Sequence, residues 1–194
     1  GLPIAEVRVF DVDRDRLGLI APLIEGVASV KVRVAETVAE CVAGADFVIA
    51  SIRPGGIEHR ARYERVALDM GVIGQETVGV GGWAMALATI PAMVEYAKEV
   101  AREAPDAWMI SFTNPVGMVT EGVLKGAGVS MLGICDTPTE FFEEIAHALG
   151  VPKAECHFDY SGLNHLGWVR EVWVGGEPRM ATILKDDAML ARIY

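Results

Sequence analysis

The chain is short of cysteine, of positive charge and of long apolar runs. Three cysteines in 194 residues, odd in number and irregular in spacing, exclude a disulfide framework and point to a reducing cytoplasm. No apolar run approaches the about 18 residues that would suggest a membrane span, and no basic, apolar leader suggests secretion. Lys and Arg number 17 against 27 Asp and Glu, a formal charge of −10. Such a surface repels nucleic acid and anionic membranes, and no Lys/Arg stripe overrides it. An anionic small molecule would have to be held by local groups against the global field. Core-forming residues, by contrast, are abundant. Hydrophobic residues make up 52% of the chain and mean hydropathy is +0.31, enough for one buried domain and part of another. The same apolar content suggests a homo-oligomer.

Strand and helix patterns alternate along the chain. Val7–Phe10 and Val30–Val34 read as strands, Phe47–Ala50 as a short buried strand, and Ala107–Phe112 and Val129–Ile134 as two more. Between them lie helical patterns at Thr37–Ala45, Ile57–Met70, Ala84–Ala104 and Pro115–Lys125, with Gly71–Gly82 as a glycine-rich loop. This order predicts an α/β fold with a doubly wound, mainly parallel, Rossmann-like sheet over residues 1–150. Beyond Gly150 the pattern changes. Cys156–Tyr160 and Trp168–Val174 read as antiparallel strands with Gly175-Gly176 as a turn, the beginning of a mixed α+β domain over 151–194. One unit is missing. Phe10-Asp11-Val12-Asp13 has the form of a second dinucleotide-fold strand ending in an acid, yet no glycine-rich turn stands about 20 residues before it. The chain therefore reads as a fragment lacking its first βα unit.

Ligands bind such sheets beyond the carboxyl ends of the strands, and polar residues gather there. Asp11 is placed to accept hydrogen bonds from a ribose diol, although an ordinary polar turn would look the same. Ser51-Ile52-Arg53-Pro54-Gly55-Gly56 offers a guanidinium beside glycines, suited to phosphate or carboxylate. Asn114 is expected as a helix N-cap with Pro115 at the first helical position. Thr137-Pro138-Thr139-Glu140 has the form of a capping box. Glu76, in the glycine-rich loop, could be a base, a supporting group or merely exposed. Cys135, Asp136 and His165 form the sharpest set: a thiol and a carboxylate at a strand end, and an imidazole thirty residues on. Their spacing is not that of a common metal motif, and packed, unreactive side chains are the plain alternative. Cys41 falls in a helical apolar pattern and is expected in the core.

Together these segments resemble glycoside hydrolase family 4, the NAD- and divalent-metal-dependent glycosidases. The resemblance is carried by Phe10–Asp13, Ile52–Gly56, Gly71–Thr77, Ile110–Pro115 with Val119-Thr120-Glu121, Gly133–Pro138 and Tyr160–His165, in family order and across nearly the whole chain. The segment from Asp13 to Val30 is shorter than the family pattern. The nearest branch is the 6-phospho-β-glucosidases, with 6-phospho-α-glucosidases or α-galactosidases as alternatives, so the implied substrate is a phosphorylated disaccharide or glycoside.

The implied mechanism is an exception to the usual two-carboxylate scheme. NAD takes a hydride from the sugar C3, the acidified C2 proton is lost, and the C1 aglycone leaves by elimination, with a divalent metal as Lewis acid. By position, Cys135 and His165 match the metal ligands and Asp136 the acid that protonates the leaving oxygen. Arg53, Asn114 and Asn164 match substrate contacts, and Asp11, Ser51 and Asn114 the cofactor site. The family's C2 base is a tyrosine from a region not seen here, assigned neither to Tyr160 nor to Tyr194. The family commonly uses manganese, which a soft thiolate does not itself favour. Rival readings are a lactate/malate-type 2-hydroxyacid dehydrogenase, in which Cys135-Asp136 has no task, and a non-catalytic nucleotide-binding fragment.

Overall fold

Five short strands of β-branched and apolar residues pair in parallel, as the alternation of strand and helix patterns predicts. The computed structural model describes residues 3–27 and 30–193. Gly1, Leu2 and Tyr194 lie outside the described residues, as do positions 28 and 29 within the segment from Asp13 to Val30.

Strand β1 (Glu6–Val9) pairs with β2 (Lys31–Val34), joined by helix α1 (Arg14–Val27), which fills that short segment. A second parallel sheet has the order β3 (Phe47–Ala50), β4 (Trp108–Ser111), β5 (Ser130–Gly133). Its connections are α3 (Gly56–Asp69), the long α4 (Gly79–Glu103) and α5 (Val116–Ala127), while α2 (Val38–Val42) leads from β2 into β3. Helix α6 (Thr137–Leu149) follows β5. An antiparallel sheet of β6 (Cys156–Leu163), β7 (Leu166–Val174) and β8 (Glu177–Pro178) comes next, then short helices α7 (Met180–Ile183) and α8 (Asp187–Ile193).

The register of β3–β5 separates two faces, because side chains alternate along a strand. Ala50, Met109 and Met131 meet Met93, Ala97 and Val100 of α4, Val119 and Val123 of α5, and Val42 of α2 in the main core. Burying each of the larger side chains contributes about 1.5–3 kcal/mol. The opposite face carries Phe47 and Ile49, 56% and 71% exposed, with Trp108 and Leu132 beside them. The strand expected to be buried is therefore buried on one face only. Cys41 packs against the main core, and its burial pushes the thiol pKa up. A second core joins Ile145 and Ala148 of α6 to Val172 of β7, Ile183 of α7 and Ile193 of α8.

Helix boundaries depart from the sequence reading in two informative places. Helix α4 begins at Gly79, inside the segment taken for loop. Gly81 and Gly82 are there for close packing, since a Cβ on either would collide with the backbone of Gln75 or Thr77. Helix α5 begins at Val116, one residue later than expected. Pro115 is extended at φ −73°, ψ 111° and occupies the cap position, joined to Asn114 by a cis peptide bond, and no side chain caps the helix.

Candidate active site

The carboxyl ends of β3, β4 and β5 are laced together by short hydrogen bonds. Thr113, 3% exposed, accepts the Ile52 N–H on its hydroxyl oxygen at 3.0 Å. The Ile134 N–H donates to the Ser111 carbonyl at 2.9 Å, and Ser111 Oγ in turn accepts the Thr113 N–H at 3.1 Å. Three chain segments thus leave the sheet at one edge in fixed register.

Cys135 leaves β5 at this edge, and its Sγ lies 3.4 Å from His165 Nε2. The Asn114 amide nitrogen, arriving from β4, also lies 3.4 Å from Nε2. His165 comes from the other core. Strands β6 and β7 pair, with a register shift between Asp159 and Tyr160, up to Leu163 and Leu166, leaving Asn164-His165 as a two-residue turn at the hairpin tip. His165 adopts φ 56°, the only positive φ among the described non-glycine residues. The left-handed region is uncommon for side chains other than Asn, Asp and His. Asn164, its neighbour in the turn, has a buried carbonyl oxygen without a hydrogen-bond partner among the described residues.

Asp136 stands at the cap of α6 in the αR conformation, φ −89°, ψ −22°. A capping side chain needs an extended residue to reach back to the helix N–H groups. Asp136 therefore leaves its carboxylate uncommitted, and only its main-chain carbonyl meets the Thr139 and Glu140 N–H groups. The expected capping box does not form: Thr137 is already helical, and its hydroxyl instead accepts a weak bond from the Cys135 thiol at 3.5 Å. Asn114 likewise caps nothing, because its amide turns to His165. Asp136 itself is exposed.

The remaining candidates make no side-chain hydrogen bond to this cluster among the described residues. Arg53 pairs with Glu76 at 2.5 Å. Ser51 is exposed at the end of β3, and Asp11 follows β1 on the other sheet, where one carboxylate oxygen accepts the Asp13 N–H at 2.9 Å.

At the distances typical of zinc, about 2.0–2.1 Å for imidazole and about 2.3 Å for thiolate, two such ligand atoms at right to tetrahedral angles stand about 3.1–3.6 Å apart. The Cys135–His165 separation of 3.4 Å falls in that span, so the pair fits a shared ion. The unpartnered Asn164 oxygen marks the same turn as short of a polar partner. No third His, Cys, Asp or Glu joins them among the described residues.

Over residues 1–151 the sequence matches the model of the family 4 glycosyl hydrolases. The chain belongs to that family. Family 4 relatives include the 6-phospho-beta-glucosidase BglT of Thermotoga maritima, 35% identical over 90% of this chain and 42% of its own length. A crystal structure of the 6-phospho-beta glucosidase from Thermotoga maritima with manganese, NAD+ and glucose-6-phosphate superposes with a TM-score of 0.82. It is 33% identical over 95% of this chain and 47% of that one. A 6-phospho-alpha-glucosidase from gut microorganisms in complex with NAD and Mn2+ gives 0.83 at 29% identity, over 94% and 44%. The chain thus spans less than half the length of these relatives.

Within this family 4 chain, sequence reading missed two things at the site. It did not place Asn164 and His165 in a tight turn, because the usual Asn-Gly or Asp-Gly signature is absent. It left Glu76 open, although Glu76 lies two residues after Gly74, where an added Cβ would stand 2.7 Å from the Glu64 carbonyl.

Proposed function

We propose that the protein containing this chain hydrolyses 6-phospho-β-glucosides in the cytoplasm, using NAD and a divalent cation, manganese by preference, and acts as a homo-oligomer. The observation that carries this reading is the meeting of Cys135, His165 and Asn114 at one sheet edge, from three separate elements. The 6-phospho-beta-glucosidase relatives supply the substrate class, and their identity to this chain favours the β over the α series.

When bound, the metal would act as a Lewis acid toward the sugar oxygens and NAD would serve as hydride acceptor. Cys135 and His165 would hold the ion. The Asn114 amide lies 3.4 Å from the same Nε2, and because that nitrogen has one lone pair, the amide would turn from it toward the sugar when the ion is held. Asp136, uncommitted at the cap of α6, is the proton donor to the leaving oxygen. Its exposed carboxyl would be covered by the bound sugar when it serves. Asn114 and Asn164 offer amide groups to sugar hydroxyls, and Arg53 its remaining N–H donors. Asp11 keeps one carboxylate oxygen for a ribose diol, and Ser51 and Asn114 line the cofactor side.

The deciding experiment assays the full-length protein on p-nitrophenyl 6-phospho-β-glucoside, with and without NAD and manganese. Turnover requiring both is expected. Undiminished cleavage after removing both would sink the mechanism. Faster turnover of the α-linked substrate would move the protein to the other branch. Oxidation of lactate or malate without cleavage would restore the dehydrogenase reading.

A further inference from the structure

The hairpin that carries His165 is gripped by the helix that follows Cys135. Helix α6 begins at Thr137, two residues after Cys135, and Phe142 lies less than two turns along it. The Phe142 ring stacks on Phe158 of β6, with centroids 4.3 Å apart and planes 9° apart. It meets Tyr160 of the same strand edge-on, at 5.6 Å and 79°. Aromatic pairs favour both arrangements. Phe158 and Tyr160 are two residues apart and so share one face of β6.

Tyr160 carries this grip toward the hairpin tip. It pairs with Val169, and its ring reaches diagonally to Gly167, a distance that aromatic side chains span. A Cβ on Gly167 would stand 1.9 Å from the Tyr160 hydroxyl oxygen, and 2.3 and 2.8 Å from ring atoms Cζ and Cε2. Gly167 is not among the glycines of positive φ, whereas Gly162, its partner across the hairpin, has φ 128°. The missing side chain of Gly167 is therefore required by the ring above it and not by backbone conformation. Two residues separate Gly167 from His165.

The ladder also changes step here. Asp159 pairs with Glu171 but Tyr160 with Val169, so Arg170 is left without a partner on β6. A bulge of this kind bends the strand and re-aims what lies beyond it. Phe158, on the near side of the bend, packs against the second core. Tyr160 lies on the far side, with the tip. Because Phe142 holds both rings, the angle at which the tip leaves the core is fixed across the bend. That angle matters, since His165 Nε2 must meet Cys135 Sγ at 3.4 Å from thirty residues away, and ligand sets tolerate errors of only about 0.5 Å.

We propose that Tyr160 is a positioning residue of the metal site. Clasped between Phe142 and Gly167, its ring sets the angle of the hairpin tip and with it the distance from His165 to Cys135. This rests on the reading of Cys135 and His165 as metal ligands.

The test uses the full-length protein and measures manganese affinity by electron paramagnetic resonance of the free ion, without substrate or turnover. Tyr160→Leu should weaken manganese binding about tenfold, the scale of a lost supporting contact. Tyr160→Phe keeps the ring and should bind as the parent does. Gly167→Ala pushes the ring aside and should cost a similar factor, which keeps the clasp testable should Tyr160→Leu fail to fold. Combined with Tyr160→Leu, it should add nothing further, because the ring it displaces is gone. Losses that add in the double variant would overturn the contact. Parent-like affinity in Tyr160→Leu, with binding lost in Cys135→Ser, would overturn the clasp. Should Cys135→Ser also bind as the parent does, the ligand reading falls and the clasp is decided in the metal-free protein by amide hydrogen exchange along the hairpin tip. Faster exchange in Tyr160→Leu would uphold it there, and unchanged exchange would overturn it.

Discussion

His165 holds a left-handed backbone at a hairpin tip, φ 56°, and a side chain in that region costs of order 1–3 kcal/mol unless its surroundings require it. Asparagine adopts this conformation readily. His165→Asn should therefore melt no lower than the parent protein yet lose the rise in melting temperature that manganese produces. A manganese-dependent rise of unchanged size would remove His165 from the ligand set. Cys135→Ser exchanges a thiol for a smaller, harder donor at the same position. It should leave the apo protein's melting temperature nearly unchanged and lower metal affinity by at least about tenfold, the scale seen when even supporting contacts of a metal site are lost. Titration with manganese checks both variants. Cys135 was legible from the sequence as a polar interruption at a strand end, and His165 from its family segment. The geometry that unites them was not, because a turn formed by Asn164 and His165 carries no glycine to announce it.

At the scale of elements, helix α4 is the spine of the first core. Met93, at 0% exposure, has no room to be replaced by a smaller side chain without leaving a void. Met93→Ala should cost about 2–5 kcal/mol in urea unfolding. In the second core Glu171 plays a polar part. Its Oε1 accepts the N–H groups of Met180, Arg179 and Val172 at 2.8, 3.2 and 3.0 Å, tying β7 to the start of α7. These bonds, that from Met180 foremost, hold its pKa below the ordinary carboxylate value. A lowered native pKa means the unfolded chain binds more protons, so this stabilisation is complete above about pH 4.3 and is lost as pH falls through the native pKa. The urea midpoint of the parent should drop in that acid window, and Glu171→Gln should show a smaller drop. Identical acid profiles would show that Glu171 carries none of it. The strands and most helices were readable because apolar period and turn residues agree. The starts of α4 and α5 were not, because Gly81-Gly82 and Pro115 normally mark loops and here serve close packing and an extended cap.

Across the whole molecule, the two proposed metal ligands belong to different cores. Cys135 extends from β5, whose Met131 is in the first core, and His165 from the hairpin whose Val172 is in the second. An ion bound by both would link the two thermodynamically, adding its binding free energy to the state in which both are folded. Calorimetry of the full-length protein should show a sharper, higher transition with manganese, and a broadened or split one after chelation. Equal transitions would place the ion elsewhere. Among the described residues no helix is long and apolar enough to cross a membrane.

The lacing at the end of β4 has a consequence for how this site can change. Ile52 and Ile134 are held through their main-chain N–H groups, which every residue but proline possesses. The Ile134 side chain, 39% exposed, is free to drift, whereas that of Ile52 packs against the main core. The partners on β4 are not free either: Thr113 must bring a hydroxyl to receive Ile52, and Ser111 a second one to hold Thr113. Anyone seeking new specificity in this scaffold can vary the exposed Ile134, while keeping Cys135 and Asp136 beside it and leaving those two buried hydroxyls alone.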